Sequence, residues 1–251
     1  MRATLIAGNW KMNGDLASVI KLVDGIKIGK DGGQLENVDL VVCPSAVFLM
    51  KVGGMLDGSN VLLGAQNVCD QPAGAFTGEV SASMLKEFGC RYAIVGHSER
   101  RALYLESDQL VAGRFAMAIE SGITPILCVG ESLKEREEGL TESVVIRQLD
   151  AVIESQGILA LASSVIAYEP VWAIGTGQVA TPDEAQAVHR FIRSKLATLD
   201  SVVAEKIQIL YGGSMNQKNA KDLLSQPDID GGLIGGAALK ASDFLAIAQS
   251  V

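Results

Sequence analysis

The 251-residue chain is short of the residues that most often announce a function. It holds two histidines, two tryptophans and four cysteines, and aromatic residues make up 5%. Cys43, Cys69, Cys90 and Cys128 include no CxxC pair, which excludes a zinc ribbon or a dithiol redox motif. Cys43 and Cys128 stand in apolar, strand-like runs, so the thiols are expected to be buried and reduced, as in a cytoplasmic protein. No His/Cys/Asp cluster has ligand spacing, so neither a metal nor an organic cofactor is expected. The longest stretch free of charge, 155–168, has 14 residues. A spanning helix needs about 20, so no membrane partner is expected. No apolar signal core precedes Asn9-Trp10-Lys11, and secretion is not indicated. There is no basic run, and 21 basic against 29 acidic residues give a net charge of −8. Nucleic acid is thereby excluded as a partner, because phosphate contacts need clustered Lys and Arg.

What is abundant is aliphatic residue and glycine. Apolar residues reach 48%, and 27 glycines exceed the roughly 7% of an average chain. Short apolar runs alternate with longer segments of helical period. Strands are predicted to begin near Thr4, Val38, Val61, Tyr92, Ile123, Val165, Ile207 and Gly232, with room for a helix in every gap. Leu40-Val41-Val42-Cys43, Ile126-Leu127-Cys128-Val129 and Ile207-Gln208-Ile209-Leu210 alternate little, which suits parallel strands buried on both faces. Helix starts are predicted at Ser107-Asp108, at Ser242-Asp243 and, most clearly, at Thr181-Pro182-Asp183-Glu184. There a capping threonine, a first-turn proline and a capping-box glutamate coincide. Ala185, Val188, Ile192 and Leu196 then mark the buried face, and His189 is expected on the surface. With no linker composition in the chain, eight strand–helix units predict one α/β domain over residues 1–251. The architecture is a (β/α)₈ barrel of eight parallel strands inside eight helices, with a doubly wound open sheet as the alternative.

In a barrel the functional residues follow the strands. The segments in question are Asn9-Trp10-Lys11, Gly96-His97-Ser98-Glu99-Arg100-Arg101, Glu169 onward, Tyr211-Gly212-Gly213-Ser214 and Gly235-Gly236. Asn9, Lys11, His97 and Glu169 form a proton-transfer set: a carboxylate base with donors able to hold a developing oxyanion. Each also has a plainer reading, as a structural histidine, an ordinary ion-pair partner or a solvated lysine. Glu99-Arg100-Arg101 reads on charge alone as a surface or interface ion-pair cluster. Two glycine pairs after strands seven and eight suit either tight turns or the close approach of backbone N–H groups to a phosphate. The segment 170–182 carries no charge, and its apolar stretch followed by Gly175-Thr176-Gly177 suits a lid that excludes water. The run Gly175-Thr176-Gly177-Gln178-Val179-Ala180 matches a dinucleotide fingerprint only in letters. Val171 to Ile174 separate it from the strand, and the next helix starts at Thr181.

Beyond spacing, the chain resembles the triosephosphate isomerases nearly end to end. The resemblance is carried by Ala7 through Asn13, Gly74 through Glu79, Val95 through Arg101, Cys128 through Glu131, Ala167 through Gly177, Tyr211 through Ser214 and Gly231 through Ala237. It implies interconversion of dihydroxyacetone phosphate and D-glyceraldehyde 3-phosphate through an enediolate. Glu169 would be the base and His97 a neutral electrophile. Lys11 and Asn9 would polarise the same oxygens, and Glu99 would set the position of Lys11. The lid would be Val171, Trp172, Ala173, Ile174, Gly175, Thr176 and Gly177. Gly175, Ser214, Gly235 and Gly236 would offer N–H groups to the phosphate. Closure of the lid would raise the pKa of Glu169 by desolvation. The resemblance also implies a homodimer in which the loop 66–79 meets a second copy near Thr77. Tyr104-Leu105 and Met215 depart from the family pattern, where Phe-Gly and valine are usual. The rival readings are another phosphate-binding barrel, such as a sugar-phosphate epimerase or a synthase of the tryptophan pathway, and a non-catalytic phosphate-ligand binder.

Overall fold

A computed structural model describes residues 2–33, 35–174 and 179–251. Eight strands, β1 (Thr4–Asn9), β2 (Val38–Cys43), β3 (Val61–Ala65), β4 (Cys90–Val95), β5 (Thr124–Val129), β6 (Val165–Tyr168), β7 (Gln208–Tyr211) and β8 (Gly231–Ile234), pair in parallel in sequence order. β8 returns to β1 through Leu5–Gly231 to Gly8–Ile234, closing the barrel. The open-sheet alternative is excluded by that pairing.

Around the barrel lie α1 (Leu16–Asp31), α2 (Leu49–Leu56), α3 (Ala82–Glu87), α4 (Ser98–Leu103), α5 (Asp108–Glu120), α6 (Leu133–Glu137), α7 (Thr141–Gln156), α8 (Pro182–Ala197), α9 (Ser201–Lys206), α10 (Ala220–Leu224) and α11 (Ala241–Ala248). Short 3-10 turns at Val171–Ala173 and Gly236–Leu239 follow β6 and β8. Two apolar layers result. Leu5, Ala7, Val41, Ile94, Ile126, Ala167, Leu210 and Leu233 fill the barrel. Ile6, Leu40, Val95, Leu127, Ile166 and Ile209 pack outward against the helices. Each strand is thus buried on both faces, which is why its sequence alternates so little.

The capping box at Thr181 forms as expected, with Pro182 opening α8. Ser107 caps α5 through its hydroxyl to the Leu110 N–H. Ser242-Asp243 does not start a helix. α11 begins at Ala241, and its first-turn Asp243 pairs instead with Lys240 at 3.4 Å. The buried face of α8 also differs from expectation. Ala185, His189, Ile192 and Leu196 are buried, while Val188 is only half-buried. His189 is fully buried between Tyr168 and Tyr211, with Nδ1 3.2 Å from the Asp228 carbonyl. Its position four residues after Ala185 puts it on the core stripe, and helical geometry overrides its polarity. All four cysteines are free and buried, and burial pushes Cys90 up to about 12. Met215 is buried with its sulfur against Gly232. Leu105 is exposed and takes φ +56°, a conformation that costs a side chain but not a glycine.

Candidate active site

The C-terminal ends of the strands surround a cavity of about 330 Å³. Asn9, Lys11, His97 and Glu169 line it together with Ile174, Gly212, Gly213, Ser214, Gly235 and Gly236. Residues separated by up to 227 positions thus meet because the closed barrel presents every strand end to one mouth.

Glu169 follows β6, and its N–H still bonds the Val129 carbonyl at 2.8 Å. That close crossing requires Gly130, since a Cβ there would lie 1.8 Å from the Glu169 carbonyl oxygen. The carboxylate is buried and fully engaged. Ser98 donates its N–H to Oε2 at 2.9 Å and its hydroxyl to Oε1 at 3.2 Å, and His97 Nε2 is 2.9 Å from Oε1. Burial pushes the carboxyl up. The charge and hydrogen bond of His97, with the Ser98 N–H, outweigh burial and hold it below the usual value. This inverts the desolvation-led rise expected from sequence for a closed site, because the carboxylate rests against donors in this structure.

His97 stands at the N-terminus of α4, with its Nδ1 accepting from the Glu99 N–H at 3.2 Å. An accepting Nδ1 carries no proton, so the ring proton sits on Nε2, facing Glu169. Burial pushes the imidazole pKa down, while Glu169 pulls it above its ordinary value. Glu169 supplies the larger part of that upward pull and Glu99 a smaller part, while Lys11 opposes it.

Lys11 takes φ +52°, held by three bonds to its own backbone. Its N–H reaches Asn9 Oδ1 at 3.0 Å, and its carbonyl accepts from Ser45 Oγ at 2.9 Å and Gln66 Nε2 at 2.7 Å. With Asn9 Oδ1 so occupied, its NH₂ is the group left to offer a ligand. Glu99 does not line the cavity; it pairs with Lys11 Nζ at 2.5 Å. Arg100 pairs with Glu106 at 2.7 Å and Arg101 with Asp108 at 2.6 Å, so both bind the following loop.

Gly212 and Gly213 serve packing as well as the mouth. A Cβ would meet Glu169 Cγ at 2.8 Å or the Tyr211 hydroxyl at 2.3 Å, respectively. Gly236 has open space around it, and Gly235 faces the Lys11 side chain. Ser214 donates its hydroxyl to the Ala173 carbonyl at 2.7 Å. Of the expected lid, Val171 to Ile174 are packed: Ala173 is buried, and the other three are half-buried. Gly175, Thr176 and Gly177 lie outside the described residues. Thr77 is exposed on a loop remote from the cavity lining.

Several residues were not singled out from sequence. Ser98 lay within a quoted motif, but nothing marked it as the partner of Glu169. Gln66 ties the Lys11 carbonyl to that of Cys43, and Gln148 holds both backbone groups of Gly130. Fully buried Glu131 accepts from the Tyr168 hydroxyl at 3.1 Å and from Trp172 Nε1 at 2.9 Å, and Arg136 stacks on the indole. Among the described residues no group of three or more His, Cys, Asp or Glu could hold a metal ion, and no helix is long and apolar enough to cross a membrane.

Comparison with known proteins identifies the family. A protein from Thiobacillus denitrificans named triosephosphate isomerase is 57% identical over 250 residues, covering 100% of this chain and 99% of the relative. Proteins of the same name from Hydrogenovibrio crunogenus and Nitrosomonas europaea are 55% and 56% identical, covering 100% and 98% of this chain and 98% and 97% of theirs. The family model described as triosephosphate isomerase matches residues 4–251. With its closed eight-stranded barrel and a match of that extent, the chain belongs to the triosephosphate isomerase family.

Proposed function

We propose that the chain, as one catalytic barrel over residues 1–251, interconverts dihydroxyacetone phosphate and D-glyceraldehyde 3-phosphate. The observation that carries this is the meeting of Glu169, His97, Lys11 and Asn9 at one mouth beside the Gly213 and Gly235 backbones. Glu169 takes a proton from the carbon next to the carbonyl and returns it to the neighbouring carbon. The Nε2–H of His97 faces the carbonyl oxygens, and the Lys11 ammonium and Asn9 NH₂ add positive potential where the enediolate charge develops. A glutamate base beside a neutral imidazole is the established pattern of the triosephosphate isomerases.

To reach the substrate carbon, the carboxylate gives up its bonds to Ser98. Losing those donors in a closed, dry site raises its basicity when the proton must be taken. The same departure removes the larger part of what holds the imidazole pKa up, leaving burial and Lys11 against Glu99 alone, which favours neutral His97. The phosphate sits where the 3-10 turn Gly236–Leu239 and Ser214 present N–H groups, with Gly175 of the lid closing over it. Glu131, by gripping Tyr168 and Trp172, anchors the stem on which the lid 171–177 closes.

The acting species is a homodimer in the cytoplasm. The loop 66–79 exposes every residue from 72 to 79, Phe76 and Thr77 included. Met12, Val47, Met50, Leu103 and Tyr104, all exposed apolar residues, stand after the first, second and fourth strands. Exposed apolar side chains in these segments are surface that association with a second copy would bury.

A coupled isomerase assay tests the proposal. Wild-type protein turns over, and Glu169→Gln loses about 10³-fold or more in kcat while still binding a phosphate-bearing substrate analogue. Near-normal turnover of the variant would remove Glu169 from its role. A monomeric mass in sedimentation at full activity would remove the dimer.

A further inference from the structure

Glu169 is a partition between two cavities. One is the mouth already described. The other, of about 360 Å³, lies behind it, between the loop after β4 and the first turns of α6 and α7. Ser98, which holds both carboxylate oxygens, lines only this second cavity. Its wall mixes fixed polar groups with a slightly larger apolar part. Asp108 binds Arg101 at 2.6 Å and also Arg147, while Arg101 bonds the Gly96 carbonyl at 2.8 Å. Glu106, also in the wall, has a buried Oε2 with no hydrogen-bond partner among the described residues. The cavity reaches bulk solvent along Ala102, Ser107 and Arg147, the last with a side chain 59% exposed. A surface groove between α5 and α7 meets it there, sharing Ser107, Asp108 and Arg147.

A space of this size has room for about ten waters, and the Ser98, Glu106, Asp108 and Arg147 side chains along it offer them hydrogen-bond partners. We infer that the second cavity is a water-filled conduit through which the Glu169 carboxyl exchanges its proton with solvent from behind, independently of the substrate mouth. The inference rests on Glu169 being the base of the proposed reaction. The step is an exchange of one hydron. Protonated Glu169, back against Ser98, gives the substrate-derived proton to a cavity water and accepts another in its place. It then delivers that one to the enediolate carbon. Nothing is oxidised or reduced. Apart from Glu169 the two cavities share no lining residue, so this route does not run through the mouth. The balance between direct return of the substrate proton and return of a solvent proton is therefore set by the geometry behind the base.

The test is the reaction run in D₂O, with the fraction of carbon-bound deuterium in trapped product read by proton NMR beside kcat and KM. Ala102, an exposed α4 residue lining the cavity, is the site for a plug. Ala102→Phe, or Ala102→Leu if the larger side chain impairs folding, lowers the deuterium fraction by about twofold or more at nearly unchanged kcat. Arg147→Ala widens the entrance and raises the fraction. An unchanged fraction in the folded, active plugged variant overturns the conduit, and an unchanged fraction in Arg147→Ala overturns the entrance at that residue. Absence of isomerase activity in the wild type defeats the proposed function instead, before any exchange is read.

Discussion

Acid weakens this fold through His189. The imidazole is fully buried, and burial holds its pKa down at about 4, against the ordinary 6.5 of a histidine in water. The charged groups facing it are Arg193, which lowers it further, and Asp228, which raises it. The folded state therefore refuses a proton that the unfolded chain accepts. Stability is complete above pH 6.5, falls as pH drops below it, and levels off below about pH 4. At about 1.36 kcal/mol per pKa unit, the full loss is about 3 kcal/mol, and by pH 5 it reaches about 2 kcal/mol. That is a large part of the 5–15 kcal/mol by which domains are typically stable. The control is His189→Asn, which does not titrate and keeps an N–H to offer the Asp228 carbonyl. Urea unfolding of both proteins at pH 7.5 and 5.0, at one protein concentration, cancels the titrations they share. The wild type loses about 2 kcal/mol more than the variant across that interval. Equal losses would refute a neutral buried histidine.

Other substitutions probe separate parts of the site. Glu131→Leu leaves the buried Tyr168 hydroxyl without its acceptor and frees the lid stem, so denaturant unfolding shows a loss of about 2 kcal/mol and kcat falls. Gly130→Ala drives a Cβ into the Glu169 carbonyl and displaces the base; kcat drops by more than tenfold, or the protein fails to fold, and normal kinetics would show that the crossing yields. Leu105→Gly relieves the left-handed leucine and raises stability by about 0.5 kcal/mol after the cost of a freer unfolded chain. A clear fall in stability, read by the unfolding midpoint, would show that the Leu105 side chain makes a contact worth more than its strain.

Elements whose signal is local were legible in the sequence. The strands declared themselves because a parallel barrel buries both faces, so runs such as Leu40 to Cys43 need no partner to be recognised. The start of α8 was legible for the same reason: Thr181, Pro182 and Glu184 satisfy one another within a single turn. Where the reading depended on a choice between adjacent positions, it slipped. Val188 and His189 differ by one step of a helix, and polarity suggested the wrong one. Ser242 looked like a cap, yet the helix is entered two residues earlier, with Lys240 at the cap position.

The sequence by itself determined the barrel class, the family and the kit of acid, base and cation at the strand ends, because each is written in segments of a few residues. Tertiary structure decided how the kit is set. It placed Ser98 against the Glu169 carboxylate, Gln66 and Ser45 against the strained Lys11 backbone, and Glu131 beneath the lid stem. It also decided that the base has a second cavity at its back. These contacts join positions 34 to 71 residues apart, and only strand register and barrel closure bring such positions together. The sequence already set His97 apart as a candidate for chemistry, but only the tertiary structure moved His189 from the expected surface into the core. His97 follows β4 and caps α4 at the mouth, and His189 fills the core, where burial favours its uncharged form.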